Sequence, residues 1–200
     1  MRKEKDDIAA LKQEDKKRAL KLKEKQKKNR KWMIQIFFMA FLISVMFSFV
    51  SETMIPKLST IFGVLLILVF ILLGIIFDMI GVAVTASDEA PFHSMSARKV
   101  KGANIAVLLK KNADKVGSFC NDVIGDICGV VSGSAGAIIA SSFAQTLHVS
   151  PFLMSLLVTG FIAAFTIGGK AIGKSFAINQ SDMILYKVAK FISYFYHVKK

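Results

Sequence analysis

The chain has 200 residues, with 27 Lys+Arg against 14 Asp+Glu, a formal net charge of +13 and 54% hydrophobic residues. Charge and apolarity are segregated: residues 1–32 hold 14 Lys+Arg and 6 Asp+Glu, a net +8, and most of the remainder is long apolar runs. This argues against one soluble domain, and runs above roughly 18 apolar residues point to an all-α integral membrane protein with a basic tail.

Residues 1–31 are mostly Lys, Glu, Asp and Gln, with Ile8, Leu11, Leu20 and Leu22 as sparse apolar points. They read as a solvated or disordered basic cytoplasmic arm that anchors the neighbouring span. No aromatic interleaves its lysines, so nucleic acid is not the expected partner. No signal peptide is expected either, because the charged segment is too long and no small-residue cleavage site follows the first apolar run. Trp32 opens a first span reaching about residue 50, and SETMIPK, with Pro56, ends it. Residues 32–57 therefore form an extra transmembrane helix and outer loop, leaving 58–200 as the main membrane domain.

A second span covers residues 58 to about 86. Residues 88–120 place Arg98, Lys99, Lys101, Lys110, Lys111 and Lys115 among Val100, Ala103, Val107 and Leu108, as helical pieces lying on a membrane surface do. A third span covers roughly 122–147, and HVSP follows with Ser150 as N-cap and Pro151 at the first helical position. The fourth runs from 152 to about 172. Residues 182–198 put Ile184, Val188, Phe191, Ile192 and Phe195 on one face and Lys187, Lys190 and His197 on another. The expectation is about four transmembrane helices plus two amphipathic juxtamembrane segments. If the arm is cytoplasmic, every basic cluster lies inside, both termini are cytoplasmic, and the outer loops hold only Lys57 and His148 as basic residues.

Carboxylates in or beside a lipid-embedded helix need partners, water or a cation. Asp78, Thr85 and Asp88 or Glu89 recur at intervals of seven and then three or four, which puts them on one helix face. Hard cations such as magnesium want oxygen ligands of this kind. The plainer reading is that Asp88 and Glu89 cap the span and pair with nearby lysines, whereas Asp78 lies deeper in the run. The third span begins with Asn121, Asp122 and Asp126 and repeats glycine at 125, 129 and 133, a packing ridge against another helix. The fourth offers Thr159, Thr166 and Lys170 on one face, then Gly168, Gly169 and Gly173, which permit a broken or bent helix. Cys120 and Cys128, eight residues apart on a helix, lie ~12 Å apart, too far for a disulfide, and read as interface filling. No nucleophile with a base, phosphate loop or zinc spacing occurs, and His93, His148 and His197 sit in separate segments. Neither an enzyme nor an organic cofactor is expected.

Three segments carry a family resemblance. DEAPFHSMSARKVKG resembles the S-E-T-A-L-x-S-x-S-R-x-R segment that ends the first helix of the CNNM/CorB transmembrane domain. Asn121 to Asp126 resembles its G-N-T-x-x-N entry to the second helix, and GGKAIGKSFAINQSDMILYKVAKFISYF its G-E-x-x-P-K-S-x-A segment and following amphipathic helix. The ordered match covers about 63–198. It implies a homodimeric domain linked to transport of magnesium or another divalent cation, with Thr85, Ser87, Asp88, Glu89, Asn121 and Asp126 as ion ligands. The chain departs from that pattern in its extra first span and arm. It also reaches Lys200 without the cytoplasmic CBS modules family members usually carry, so nucleotide regulation would fall to a separate cytoplasmic chain. The family's Glu aligns with Lys170 and its Pro with Gly173. An ammonium there would meet Glu89, Asp88 or Asp126 and take a charge the ion would use. A non-transporting scaffold or accessory subunit that keeps the fold is the alternative.

Overall fold

The computed structural model describes residues 2–57 and 59–195; expectations touching Leu58, His197 and Val198, and the side chains of Ile8, Leu11 and Leu22, lie outside what is described. Among the described residues every regular element is helical. Four stretches are long and apolar enough to cross a membrane: Arg30–Met54, Thr60–Ala86, Ala113–Leu147 and Pro151–Asn179. The first helix, α1 (Arg2–Met54), closes in a 3-10 turn at Ile55–Lys57 that contains Pro56. The chain divides into two compact units between Phe41 and Leu42. In the first, Met33, Ile34, Phe37 and Phe38 are exposed.

The second unit is organised on α2 (Thr60–Ala86), which packs on both α6 (Asp126–Leu147) and α7 (Pro151–Asn179), while α6 and α7 pack on each other. Ile67 and Ile71 of α2 meet Ala135 and Ile139 of α6 in a buried cluster. Cys120 and Cys128 are free and buried, and a Cβ on Gly74 of α2 would stand 3.2 Å from that of Cys128, so small residues set the helix spacing. The third apolar stretch starts earlier than the sequence suggested. Helix α5 (Ala113–Ser118) runs through a π-helical segment, Phe119–Gly125, into α6. The wider π turn shifts the side-chain register exactly where Asn121 and Asp122 lie, and such turns mark functional positions in many helices.

Helix α7 corrects one expectation. Gly168, Gly169 and Gly173 do not break it; it runs unbroken from Pro151 to Asn179. Ile75 and Met79 of α2 fill the space where Cβ atoms of Gly169 and Gly173 would stand, so these glycines serve close helix approach. Ser150 takes the N-cap place without a side-chain capping bond.

The amphipathic segments pack into a cap over the end of α2. Phe92 of α3 (Ala90–Ala97), Ile105 and Ala106 of α4 (Ala103–Lys111), and Leu185 and Ala189 of α8 (Ser181–Phe195) surround Val84. Full burial of each large apolar side chain contributes about 1.5–3 kcal/mol. Leu185 and Ala189 therefore set the inward face of α8; of the apolar face expected for this helix, Phe191 and Phe195 are exposed and Ile192 packs partly buried on the cluster. Lys110 donates to the carbonyls of Val84 (3.3 Å) and Thr85 (2.9 Å), closing the open C-terminus of α2 with a cation.

Candidate functional site

One face of α2 runs as a ladder against the chain from α5 to α6. Gly74 lies at Gly125 and Cys128, a Cβ on Gly81 would fall on the Asn121 amide, and Thr85 lies against Gly117. Asp78 occupies the same face between Gly74 and Gly81, with its side chain only 4% exposed. A side chain at position 81 would displace Asn121, so glycine there is what admits the amide to the seam.

Helix α7 lines this seam with two lysines one turn apart. Lys170 Nζ donates to the Gly125 carbonyl at 3.2 Å and stands 3.5 Å from Asp126 Oδ1. Lys174 Nζ is 3.8 Å from Asp78 Oδ1. Two buried oxygens in the seam have no hydrogen-bond partner among the described residues: Oδ2 of Asp78 and Oδ1 of Asn121. A buried acceptor left in this state costs ~1–3 kcal/mol, more for a charged one, unless a donor or cation reaches it.

The six residues assigned by resemblance are held by different partners. Thr85 donates its hydroxyl to its own helix, to Val82 O at 2.8 Å and Gly81 O at 3.2 Å. Ser87 is buried and donates to Val84 O at 3.3 Å. Because α2 ends at Ala86, Asp88 and Glu89 leave the line of Asp78 and Thr85. The Asp88 N–H donates to Asp182 Oδ1 at 3.0 Å, and Glu89 pairs with His93 at 2.9 Å. That bond, foremost, holds the Glu89 carboxyl below its ordinary range, with the charges of His93, Lys111 and Lys110 adding to it. Asn121 lies in the seam; Asp126 stands at its margin, 71% exposed, beside Lys170. Of the three acids expected for Lys170, the structure supplies Asp126.

Lys174 was not singled out in the sequence, although its spacing of four from Lys170 puts both on one face. Among the described residues no three His, Cys, Asp or Glu side chains form a metal-holding group. The donor set at the seam is instead one carboxylate and one amide oxygen. Magnesium is bound by one or two carboxylates while keeping several waters, so such a sparse oxygen set suits it better than a cation needing a full protein cage. A separate cleft of about 420 Å³, lined by Phe47, Phe70, Leu73, Phe77, Ile124 and Cys128 among others, is apolar and offers an ion nothing.

Fold and seam together define an all-helical protein, with four stretches able to cross a membrane among its described residues and a buried polar seam between three of its helices. No family model, curated protein or solved structure matches the chain.

Proposed function

We propose that this is a multi-pass membrane protein, CNNM/CorB-like and with both termini cytoplasmic, that binds and conducts a divalent cation such as magnesium at the seam. Membrane residence is supported by large apolar side chains on α7 that face outward, among them Phe152, Phe161, Phe165, Ile167 and Ile172, an apolar surface too extensive for water. The observation that carries the ion reading is the pair of buried, unpartnered oxygens, Asp78 Oδ2 and Asn121 Oδ1, on adjacent rungs of one helix face. An acceptor pair that includes a carboxylate calls for a cation rather than a neutral donor. A second copy of the chain fits the open side of α6, where Cβ atoms at Gly129 and Gly133 would meet nothing within 4 Å.

The test is magnesium flux into vesicles holding the purified protein and an enclosed magnesium indicator. Wild type should conduct and Asp78→Asn should not. Equal flux in both would reject the seam as the ion path. A second reading, a scaffold or accessory subunit, is favoured by Lys170 and Lys174, which already set positive charge beside Asp126 and Asp78. Vesicles in which wild type conducts nothing would support it.

A further inference from the structure

The two lysines of α7 are held differently. Lys170 is 19% exposed and bonded to a backbone carbonyl, so its ammonium is fixed. Lys174 is half exposed, and its 3.8 Å separation from Asp78 Oδ1 lies beyond hydrogen-bond range. Among the described residues, the attraction of opposite charges is what holds it there. A half-exposed lysine ammonium on a flexible four-carbon stem can swing away from its partner at little cost. Its carboxylate cannot follow, because Asp78 is packed inside the helices.

We propose that Lys174 is a tethered cation that competes with the divalent ion for Asp78. With the ammonium in place, the acid is neutralised and the seat is closed. When a divalent ion enters and takes Asp78 and Asn121 as ligands, Lys174 swings out into water at the Asn179 end of α7. Its return restores the pair and expels the ion, so Asp78 is never left bare, a state that is costly for a buried charge. Lys170, Asp126 and the Gly125 carbonyl one turn away are already paired with one another and do not take part. The inference rests on the reading of Asp78 and Asn121 as the ion seat.

The test uses the full chain in lipid nanodiscs. Magnesium titration by calorimetry should give about tenfold or tighter binding for Lys174→Met than for wild type, the size of an ordinary coupling between two ligands. Because Lys174→Met leaves a buried acid unpaired and can fail to fold, a second readout does without that variant. Acetylation of Lys174 by an amine reagent, followed by mass spectrometry, should rise as magnesium is added and should not respond to magnesium in Asp78→Asn. Wild type that binds magnesium with unchanged Lys174 labelling, or a folded Lys174→Met of wild-type affinity, overturns the competition while leaving the seat intact. Magnesium binding to neither protein overturns the seat, and the competition with it.

Discussion

The cap and the seam share one helix and are built by opposite rules. Where α2 ends, Val84 is enclosed by Phe92, Ile105, Ala106, Leu185 and Ala189, and the polar groups nearby are matched. Lys110 takes the last carbonyls, Asp182 takes the Asp88 N–H, and Ser96 donates to Asn104. Two turns earlier the same helix buries an acid with one oxygen unpartnered, and the amide packed at Gly81, on the next rung, has its oxygen unpartnered too. On the proposed reading, the second region is held open for a ligand from outside the chain. On the same reading, stability is concentrated in the cap and cation binding in the seam.

The largest effect should come from breaking the cap. Phe92→Ala removes a side chain that is 1% exposed and should cost ~3–5 kcal/mol, read as a large drop in thermal midpoint in detergent, while any magnesium response of the folded fraction persists. Breaking the seam should separate stability from binding. Gly81→Ala places a methyl where the Asn121 amide lies, and should cost ~1–3 kcal/mol while removing magnesium binding by calorimetry. Gly129→Leu sharpens the comparison from outside both regions. Its Cβ meets nothing, so stability should move by no more than ~0.5 kcal/mol while the dimer fraction in detergent falls. The smallest effect belongs to Glu89. Its carboxyl is lowered in the fold, so its contribution is present above the ordinary carboxylate value of 4.5 and lost as pH falls through the folded value. The pair is exposed, so His93→Ala should barely change stability, but it should raise the Glu89 titration midpoint followed by NMR.

Much of the fold was legible because length and apolarity alone mark helices that can cross a membrane. Asp78 stood out as an acid inside such a run, and Asn121 through its motif. The seam's closing side was not legible. Spacing placed Asp88 and Glu89 in line with Asp78, but α2 ends at Ala86, and periodicity does not report where a helix stops. Glycines in the fourth apolar run suggested a break, yet Ile75 and Met79 turn them into contacts, which only the neighbouring helix reveals. The inward residues of α8 were missed for the same reason: Leu185 and Ala189 turn inward because α2, α3 and α4 offer them a core. The π turn at Phe119–Gly125 leaves no trace in the residue pattern, and it sets the register around Asn121.

The central claim is that the unpartnered oxygens of the seam form a cation seat, and magnesium-dependent thermal stability in wild type and Asp78→Asn tests it most directly. Without metal, Asp78→Asn should stay close to wild type, because it loses the Lys174 pair and the cost of a buried charge together. As magnesium rises to about a hundredfold above the dissociation constant, wild type should gain ~2.7 kcal/mol, and Asp78→Asn should gain nothing. Equal stabilisation of the two proteins, or none in wild type at any magnesium concentration, would contradict the account.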